Sequence, residues 1–284
     1  MKLRYLGTAA AEGWPAMFCD CLSCQRAREL GGKNLRTRAQ AVIDECLLID
    51  FGPDTYLHVV RDGLRLHEIR HCIITHSHSD HFYATDLMMK ARPYAQSGRK
   101  MPLIVYGSKR IEELYKRMRE VDDDCENLDE CVMIKEISAF RPVQILNYTV
   151  TPLLAAHNPP ETCFIFLIED KNGNTLLYGN DTAWFPEETW NYLRGKRLDI
   201  VSLDCTMGVL KDGATHLSYQ GDVRTRERLE TIGCIHEKTT CILTHFSHNC
   251  GHGISHEAME EMAEEDGFLV AYDGFIVETE RYEE

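Results

Sequence analysis

Apolar residues along the chain fall into short runs that alternate with stretches of helical spacing from one end to the other. Runs rich in β-branched and aromatic residues predict strands at Lys2–Leu6, Gln40–Ile43, Cys46–Ile49, Cys72–Thr75, Leu103–Tyr106, Tyr148–Leu154, Cys163–Ile168, Thr175–Tyr178, Ile200–Leu203, Thr240–Leu243 and Phe275–Glu278. Helical spacing predicts Leu22–Leu30, His81–Arg92, Lys109–Glu120, Pro186–Leu193, Leu217–Ile232 and Ser255–Asp266, the last opened by a serine suited to capping. Asn172-Gly173, between two β-type runs, predicts a hairpin turn. The acidic run from Asp122 to Glu130 reads as a solvated loop.

No internal repeat, low-complexity tract or Pro/Gly/Ser linker divides this pattern, so residues 1–284 are expected to form one α/β domain. Acidic residues number 45 against 31 Lys and Arg, a net charge of −14, which disfavours extended nucleic acid but not a small phosphorylated ligand at a metal. No apolar run approaches the roughly 18 residues that span a bilayer. The charged start, Met1-Lys2-Leu3-Arg4, reads as an edge strand rather than a signal peptide. The expectation is a soluble, cytoplasmic protein. Most of its 12 cysteines sit singly in apolar runs, but Cys19, Cys21 and Cys24 cluster and need a separate explanation.

The densest chemistry is Thr75-His76-Ser77-His78-Ser79-Asp80-His81, directly after the apolar run Cys72-Ile73-Ile74. In extended chain, side chains two apart share a face, so His76 and His78 can grip one ion. Asp80 and His81 follow where the chain turns toward a helix and can face a second. Without a metal, a buried histidine cluster would leave several ring nitrogens unpaired, at considerable cost. Four donors do not complete two ions. His157, Asp181 and His245 each follow a predicted strand, where loops beyond a sheet edge gather functional groups. Asp181, with two oxygens, is the expected bridge between ions roughly 3.5–4 Å apart.

His-x-His-x-Asp-His followed by an isolated His, an Asp and a late His resembles the metallo-β-lactamase superfamily over nearly the whole chain. Leu48-Ile49-Asp50-Phe51-Gly52 and Tyr272-Asp273-Gly274 look like further family features. The resemblance implies a four-layer αββα sandwich with metals at one edge of the sheets, and Asp50 and Asp273 as groups that orient histidines rather than ligands.

A finer resemblance is to the carbon–phosphorus lyase accessory phosphodiesterase. It rests on Leu6-Gly7-Thr8-Ala9-Ala10 leading to Cys19-x-Cys21-x-x-Cys24, on Asp181-Thr182-Ala183 and on Leu243-Thr244-His245-Phe246-Ser247-His248. It implies a structural zinc held by Cys19, Cys21, Cys24 and His248, within an N-terminal loop of about residues 7–30. A closed thiolate–imidazole site of that kind suits zinc and leaves no position for catalysis. It would pin the loop to the His245 segment. The same resemblance implies that His216, in Ala214-Thr215-His216-Leu217-Ser218, is a general acid; a loop histidine capping a helix is the competing reading. His252 and His256 have no counterpart in the motif.

The expected activity is therefore hydrolysis of a small or cyclic phosphodiester. Two divalent ions (Zn, Mn, Fe or Ni) sharing a hydroxide would supply the nucleophile, with Asp80 and His216 counted as catalytic. A tRNA 3′-end nuclease is an alternative within the superfamily, opposed by the net charge. A pyrroloquinoline quinone biosynthesis-type protein would share the cysteines, yet the intact histidine motif favours hydrolysis. A dinuclear redox or binding module would want a flavin-binding partner domain, and no Gly-rich nucleotide motif appears. Association as a homodimer is left open.

Overall fold

Two seven-stranded sheets follow one another along the chain. β1 (Lys2–Gly7), β2 (Gln40–Ile43), β3 (Leu47–Ile49), β4 (His71–Ile73), β5 (Leu103–Gly107) and β6 (Val132–Glu136) make the first. β14 (Ile276–Glu278) returns to its edge, giving the order β14-β1-β2-β3-β4-β5-β6. The second holds β7 (Val143–Ile145), β8 (Tyr148–Leu154), β9 (Phe164–Asp170), β10 (Thr175–Gly179), β11 (Ile200–Asp204), β12 (Thr240–Thr244) and β13 (Phe268–Val270), in sequential order. This computed structural model describes residues 1–96, 98–121, 125–249 and 253–279. Cys250, His252 and the Asp122–Asp124 part of the acidic run lie outside the described residues.

Each sheet is antiparallel at one end and parallel at the other: β3 to β6 run parallel, as do β10 to β13. Parallel neighbours need crossovers, and these carry helices over the outer faces. α2 (Thr55–Arg61) and α3 (Lys109–Val121) cross over the first sheet; α5 (Glu187–Leu193), α6 (Tyr219–Thr231) and α7 (His256–Glu265) cross over the second. α1 (Leu22–Leu30) lies in the N-terminal loop, and the short α4 (Leu128–Cys131) precedes β6.

The period-2 alternation of strands sorts the core into layers. Leu176 and Tyr178 of β10 face the space between the sheets, with Phe164, Phe166, Ala41 and Ile43. Leu177 faces outward onto Trp190, Leu193, Leu229 and Met259 of the helices. On the other outer face Ile111, Tyr115 and Met118, spaced to share one side of α3, pack with Val42, Cys72 and Val105. The result is the expected αββα sandwich, and no helix among the described residues is long and apolar enough to cross a membrane.

Several expectations change. The predicted helix His81–Arg92 is a 3-10 helix confined to Ala84–Lys90. Before it, Phe82 makes a β-bridge with Phe51, Phe51 N–H donates to His81 O at 2.7 Å and Tyr83 N–H donates to Phe51 O at 2.7 Å. Those bonds hold Asp80 and His81 against the end of β3, and the helix starts only when the chain is released. β6, β7, β13 and α2 have no counterpart in the sequence-based expectation. β6 is half exposed and carries charge, β7 and β13 are three residues long, and Thr55-Tyr56-Leu57-His58-Val59-Val60-Arg61 is rich in residues of β preference. Ser255 does cap α7, its hydroxyl accepting from Ala258 N–H.

The layer assignment makes a stability prediction. Phe166 is fully buried between the sheets, so Phe166→Ala should cost about 3–5 kcal/mol. Val60, 65% exposed on α2, should change by no more than about 0.5 kcal/mol on replacement by Ala. Urea unfolding of the two variants at unchanged denaturant slope checks both values.

Candidate metal centre

Strands of both sheets that run in the same direction as their parallel halves end at one edge, and residues of the cluster and its supports follow those ends. Asp50 follows β3, His76 follows β4, His157 follows β8, Asp181 follows β10 and His245 follows β12. Three of these non-glycine residues are left-handed: Asp50 at φ 66°, Asp181 at φ 51° and His245 at φ 61°. Such backbone is uncommon outside glycine and is tolerated where surrounding bonds over-determine it. Here the reversal turns each side chain back toward a shared centre. Gly52, two residues past Asp50, lets the His-rich loop come close: a Cβ there would lie 1.9 Å from Asp80 O.

His76 Nε2 and His157 Nε2 lie 2.9 Å and 3.1 Å from His78 Nδ1, so three ring nitrogens converge. His81 Nε2 lies 3.0 Å from Asp80 Oδ2 and 2.7 Å from Asp181 Oδ2, and His245 Nε2 lies 3.0 Å from the same Asp181 oxygen. The other Asp181 oxygen, Oδ1, faces His157 Nε2 at 3.9 Å. Asp181 thus stands between a three-histidine group and an Asp80–His81–His245 group, the position expected of a bridging carboxylate. All but His78 are buried.

The opposite ring nitrogens are anchored by the protein. His81 Nδ1 bonds to Asp50 Oδ2 at 2.7 Å, His76 Nδ1 to Thr75 Oγ1 at 3.0 Å, His245 Nδ1 to Thr206 Oγ1 at 2.7 Å and His157 Nδ1 to Thr215 O at 3.3 Å. Anchors of this kind select the tautomer that leaves Nε2 free to bind. His81 Nε2, His245 Nε2 and Asp181 Oδ2 are buried without a hydrogen bond, although the two nitrogens lie 2.7 Å and 3.0 Å from that oxygen. Unmet buried polar atoms are costly, and three that face each other fit a cation held among them.

The electrostatics agree. Against the penalty of burial, His245 and His81 hold the Asp181 carboxyl well below the usual carboxylate range. Asp181, Asp80 and Asp50 lift His81 well above the ordinary imidazole range, again against burial. His76, buried beside other histidines, is pushed well down. The carboxylates draw positive charge into a closed space. Divalent ions held there would supply that charge while using the ring lone pairs.

His216 Nδ1 bonds to Asp204 Oδ2 at 2.8 Å and lies 3.7 Å from Asp181 Oδ1, at the rim of the cluster. Burial disfavours its charge, but Asp204, helped by Asp181, outweighs burial and lifts it to about 9. The competing reading of His216 as a helix cap does not hold, because Ser218 caps α6 through Gly221 N–H. Asp204 itself is absent from the sequence-based set. It ends β11, accepts from Thr182 N–H and Thr206 N–H, and so ties His216 to the residues beside Asp181 and His245. Its signal was the carboxylate closing the apolar run Ile200-Val201-Ser202-Leu203, the same pattern that marked Asp50.

Asp50 orients a histidine, as expected; Asp273 does not. Its carboxylate accepts from Thr8 Oγ1 at 2.9 Å, Thr37 N–H at 2.8 Å and Arg61 at 3.0 Å, which ties strand ends together. His256 is buried between Arg36 at 2.9 Å and Glu260 at 3.0 Å, outside the cluster, and His252 lies outside the described residues.

Cys19, Cys21, Cys24 and His248 bring four donor atoms within 4.8 Å of one another, with Cys21 Sγ 3.4 Å from His248 Nδ1. Contact with His248 pulls the Cys21 thiol down to about 6, while burial pushes Cys24 up to about 11. Three sulfurs and an imidazole gathered so closely are the donor set of a closed zinc site, and a zinc bound there would hold the sulfurs as thiolates. The loop is also zipped to the late segment by backbone. Phe246 N–H donates to Thr8 O at 2.9 Å and Ala10 N–H donates to Phe246 O at 3.0 Å.

The family model described as "Anti-Pycsar protein Apyc1" matches residues 39–262, a span that holds every histidine and carboxylate of the cluster and begins after the three cysteines. Ribonuclease Z of Pyrococcus abyssi is 26% identical over 142 residues, 50% of this chain and 45% of that protein, so the chain matches less than half the length of this curated relative. Among solved structures, a diphosphatase from the PhnP family superposes with a TM-score of 0.74 at 22% identity, covering 98% of each chain. Zinc-bound PqqB from Methylobacterium extorquens superposes at 0.69 with 18% identity, covering 98% of this chain and 100% of that one. At these identities the structures show a shared fold, the metallo-β-lactamase sandwich.

Two predictions follow from the geometry. Asp181→Ala removes a donor facing both groups, so it should deplete divalent metal further than any single histidine variant, and further than Asp50→Asn. The latter loses only an orienting bond, a change that typically costs about 10- to 100-fold in affinity. Metal content by mass spectrometry after dialysis ranks the variants; parent-like occupancy in Asp181→Ala would remove it from the centre. Separately, Cys21→Ser should lower zinc content by one equivalent and depress the melting temperature while the histidine site still loads. Unchanged zinc and melting would rule out a metal at the cysteine cluster.

Proposed function

The chain belongs to the anti-Pycsar protein Apyc1 family, and on that premise we propose that it is a metal-dependent hydrolase of small phosphodiesters, cyclic ones included. The observation that carries the reading is the His216–Asp204 pair set beside the Asp181 cluster: an imidazole tied to a carboxylate at the rim of two groups of candidate metal donors. Such ions, when bound, stabilise charge on phosphoryl oxygens and make water nucleophilic near neutral pH. We extend to this chain the anti-Pycsar role in the family's description, and assign it to the cytoplasm.

His76, His78 and His157 would hold one ion, Asp80, His81 and His245 the other, with Asp181 between them. Asp50, Thr75 and Thr206 fix ring orientations, so the donors are in place before substrate arrives. Asp204 favours the protonated form of His216 and fixes its ring through Nδ1. The other ring nitrogen, Nε2, is then a proton source for a departing alkoxide. Protonation at that point matters because an alkoxide of a sugar is a poor leaving group, whereas a nitrophenolate leaves unaided.

His216→Ala should therefore slow a ribose-type diester by about 100- to 10,000-fold, the range usual for general acid catalysis, with metal content intact. A nitrophenyl diester should suffer far less. Equal losses on both would give His216 a positioning role, and no loss on either would remove it from the chemistry. The half-length likeness to ribonuclease Z supports a second reading, cleavage at RNA 3′ ends. Turnover of a precursor tRNA with none of small diesters would select it.

A further inference from the structure

Among the histidines of the cluster, His76, His81, His157 and His245 are each anchored through Nδ1, the nitrogen turned away from the centre. His78 is the exception. It faces the centre with Nδ1, it is exposed, and its Nε2 makes no hydrogen bond among the described residues. Its backbone carries the restraint instead. On the C-terminal side, His78 O accepts from His81 N–H at 3.0 Å and from Phe82 N–H at 2.8 Å. On the N-terminal side, Ser77 is fastened to a loop of the other sheet. Its N–H at 3.2 Å and its hydroxyl at 2.8 Å both donate to the Glu161 carboxylate.

Glu161 belongs to the loop that carries His157. Its N–H donates to Asn158 O at 3.0 Å, closing a turn through Pro159 and Pro160, whose rings restrict φ. Asn158, the residue after His157, donates its Nδ2 back to Glu161 Oε1 at 2.9 Å. One carboxylate thus gathers three donors, two from the residue between His76 and His78 and one from the neighbour of His157. Deeper in the fold, Phe164 N–H donates to Thr75 O at 2.9 Å. The two crosslinks, at Thr75 and at Ser77, bracket His76 and tie the loop after β4 to the loop after β8. The Asp80–His81–His245 group is held by other bonds, from Asp50, Phe51 and Thr206. A carboxylate suits the crossing because both its oxygens accept and it has no donor. A glutamine there would turn its NH2 toward one or more of the three donors.

We propose that Glu161 is a positioning residue of the metal centre, which sets His78 against His76 and His157 and so governs the affinity of the three-histidine group selectively. The inference rests on the reading of the cluster as a two-ion centre and is independent of the substrate. Glu161 supplies no ligand atom. It works through Ser77 and Asn158, so that an ion entering the three-histidine group does not have to order the exposed His78 segment as it binds. The clamp gives the exposed half of the centre the firmness that ring anchors give the buried half.

The test is a calorimetric titration with Mn²⁺, an ion that thiolates hold poorly, after a mild chelator has stripped the histidine centre of the full chain. The parent should resolve two binding steps. Glu161→Ala should weaken one of them by about 10- to 100-fold, the range usual for loss of an orienting contact. That step should be the one that His78→Ala weakens, and the other should stay near its parent value. Glu161→Gln keeps an oxygen for Ser77 Oγ and Asn158 and should recover part of the loss. Ser77→Ala should weaken the same step by a smaller factor and add little on top of Glu161→Ala, because the two residues act as one unit. A merely structural staple would lower the melting temperature of the stripped protein and weaken both steps alike; that result overturns the clamp. Two parent-like steps in Glu161→Ala overturn the clamp alone, whereas a parent that takes up no Mn²⁺ overturns the metal centre and the clamp together.

Discussion

Asp181 Oδ2 lies within about 3 Å of two imidazole nitrogens and hydrogen-bonds to neither, while its partner oxygen faces a third ring. A fully buried carboxylate so placed is tolerable only if positive charge comes to it. Much of the surrounding structure serves that demand. Thr182, the next residue, accepts from Ala156 N–H and donates its own N–H to Asp204, which fixes the loops bearing His157 and His216 relative to the carboxylate. The left-handed turns at Asp50, Asp181 and His245 cost backbone energy that a plain strand-to-loop exit would not. They persist because the buried bonds around them leave the chain no cheaper path.

The two sheets explain how so many donors reach one place. Each contributes a parallel half, and in each half the residue after a strand is displayed at the same edge. Neighbouring strands lie about 4.8 Å apart, so adjacent strand ends deliver side chains within reach of a common ion without long loops. The first sheet supplies the dense motif between His76 and His81; the second supplies single residues from separate strand ends. The centre is therefore a property of the sandwich closing, since neither sheet alone carries both donor groups.

That division also governs what could be read before the structure. The His76–His81 cluster was legible because its donors are contiguous, and most strands because their apolar alternation is strong. Asp204 was missed because it is one carboxylate after one strand, and its partner His216 lies 12 residues further on. Asp273 was misjudged for the opposite reason. Its sequence setting resembles that of Asp50, but the side chain finds Thr8, Thr37 and Arg61 rather than a ring nitrogen. The helix at His81 failed because its periodicity is genuine but tertiary bonds to Phe51 outweigh local preference there. β6, β7 and β13 are short edge or near-edge strands whose pairing partners, not their residues, make them strands.

The cysteine cluster has a consequence for the order in which the protein is made. Cys21 and His248 meet at 3.4 Å across 227 residues of sequence. At roughly 5–20 residues per second, a ribosome needs about 10 to 45 seconds to travel from one to the other. Through that interval three closely spaced thiols are out in solution with their imidazole not yet synthesised, and the strip of backbone that zips onto Phe246 has nothing to zip to. The N-terminal loop is thus translated well before the segment that completes it. In a nascent chain its cysteines stay open to oxidation or to capture of the wrong ion until His248 has been made.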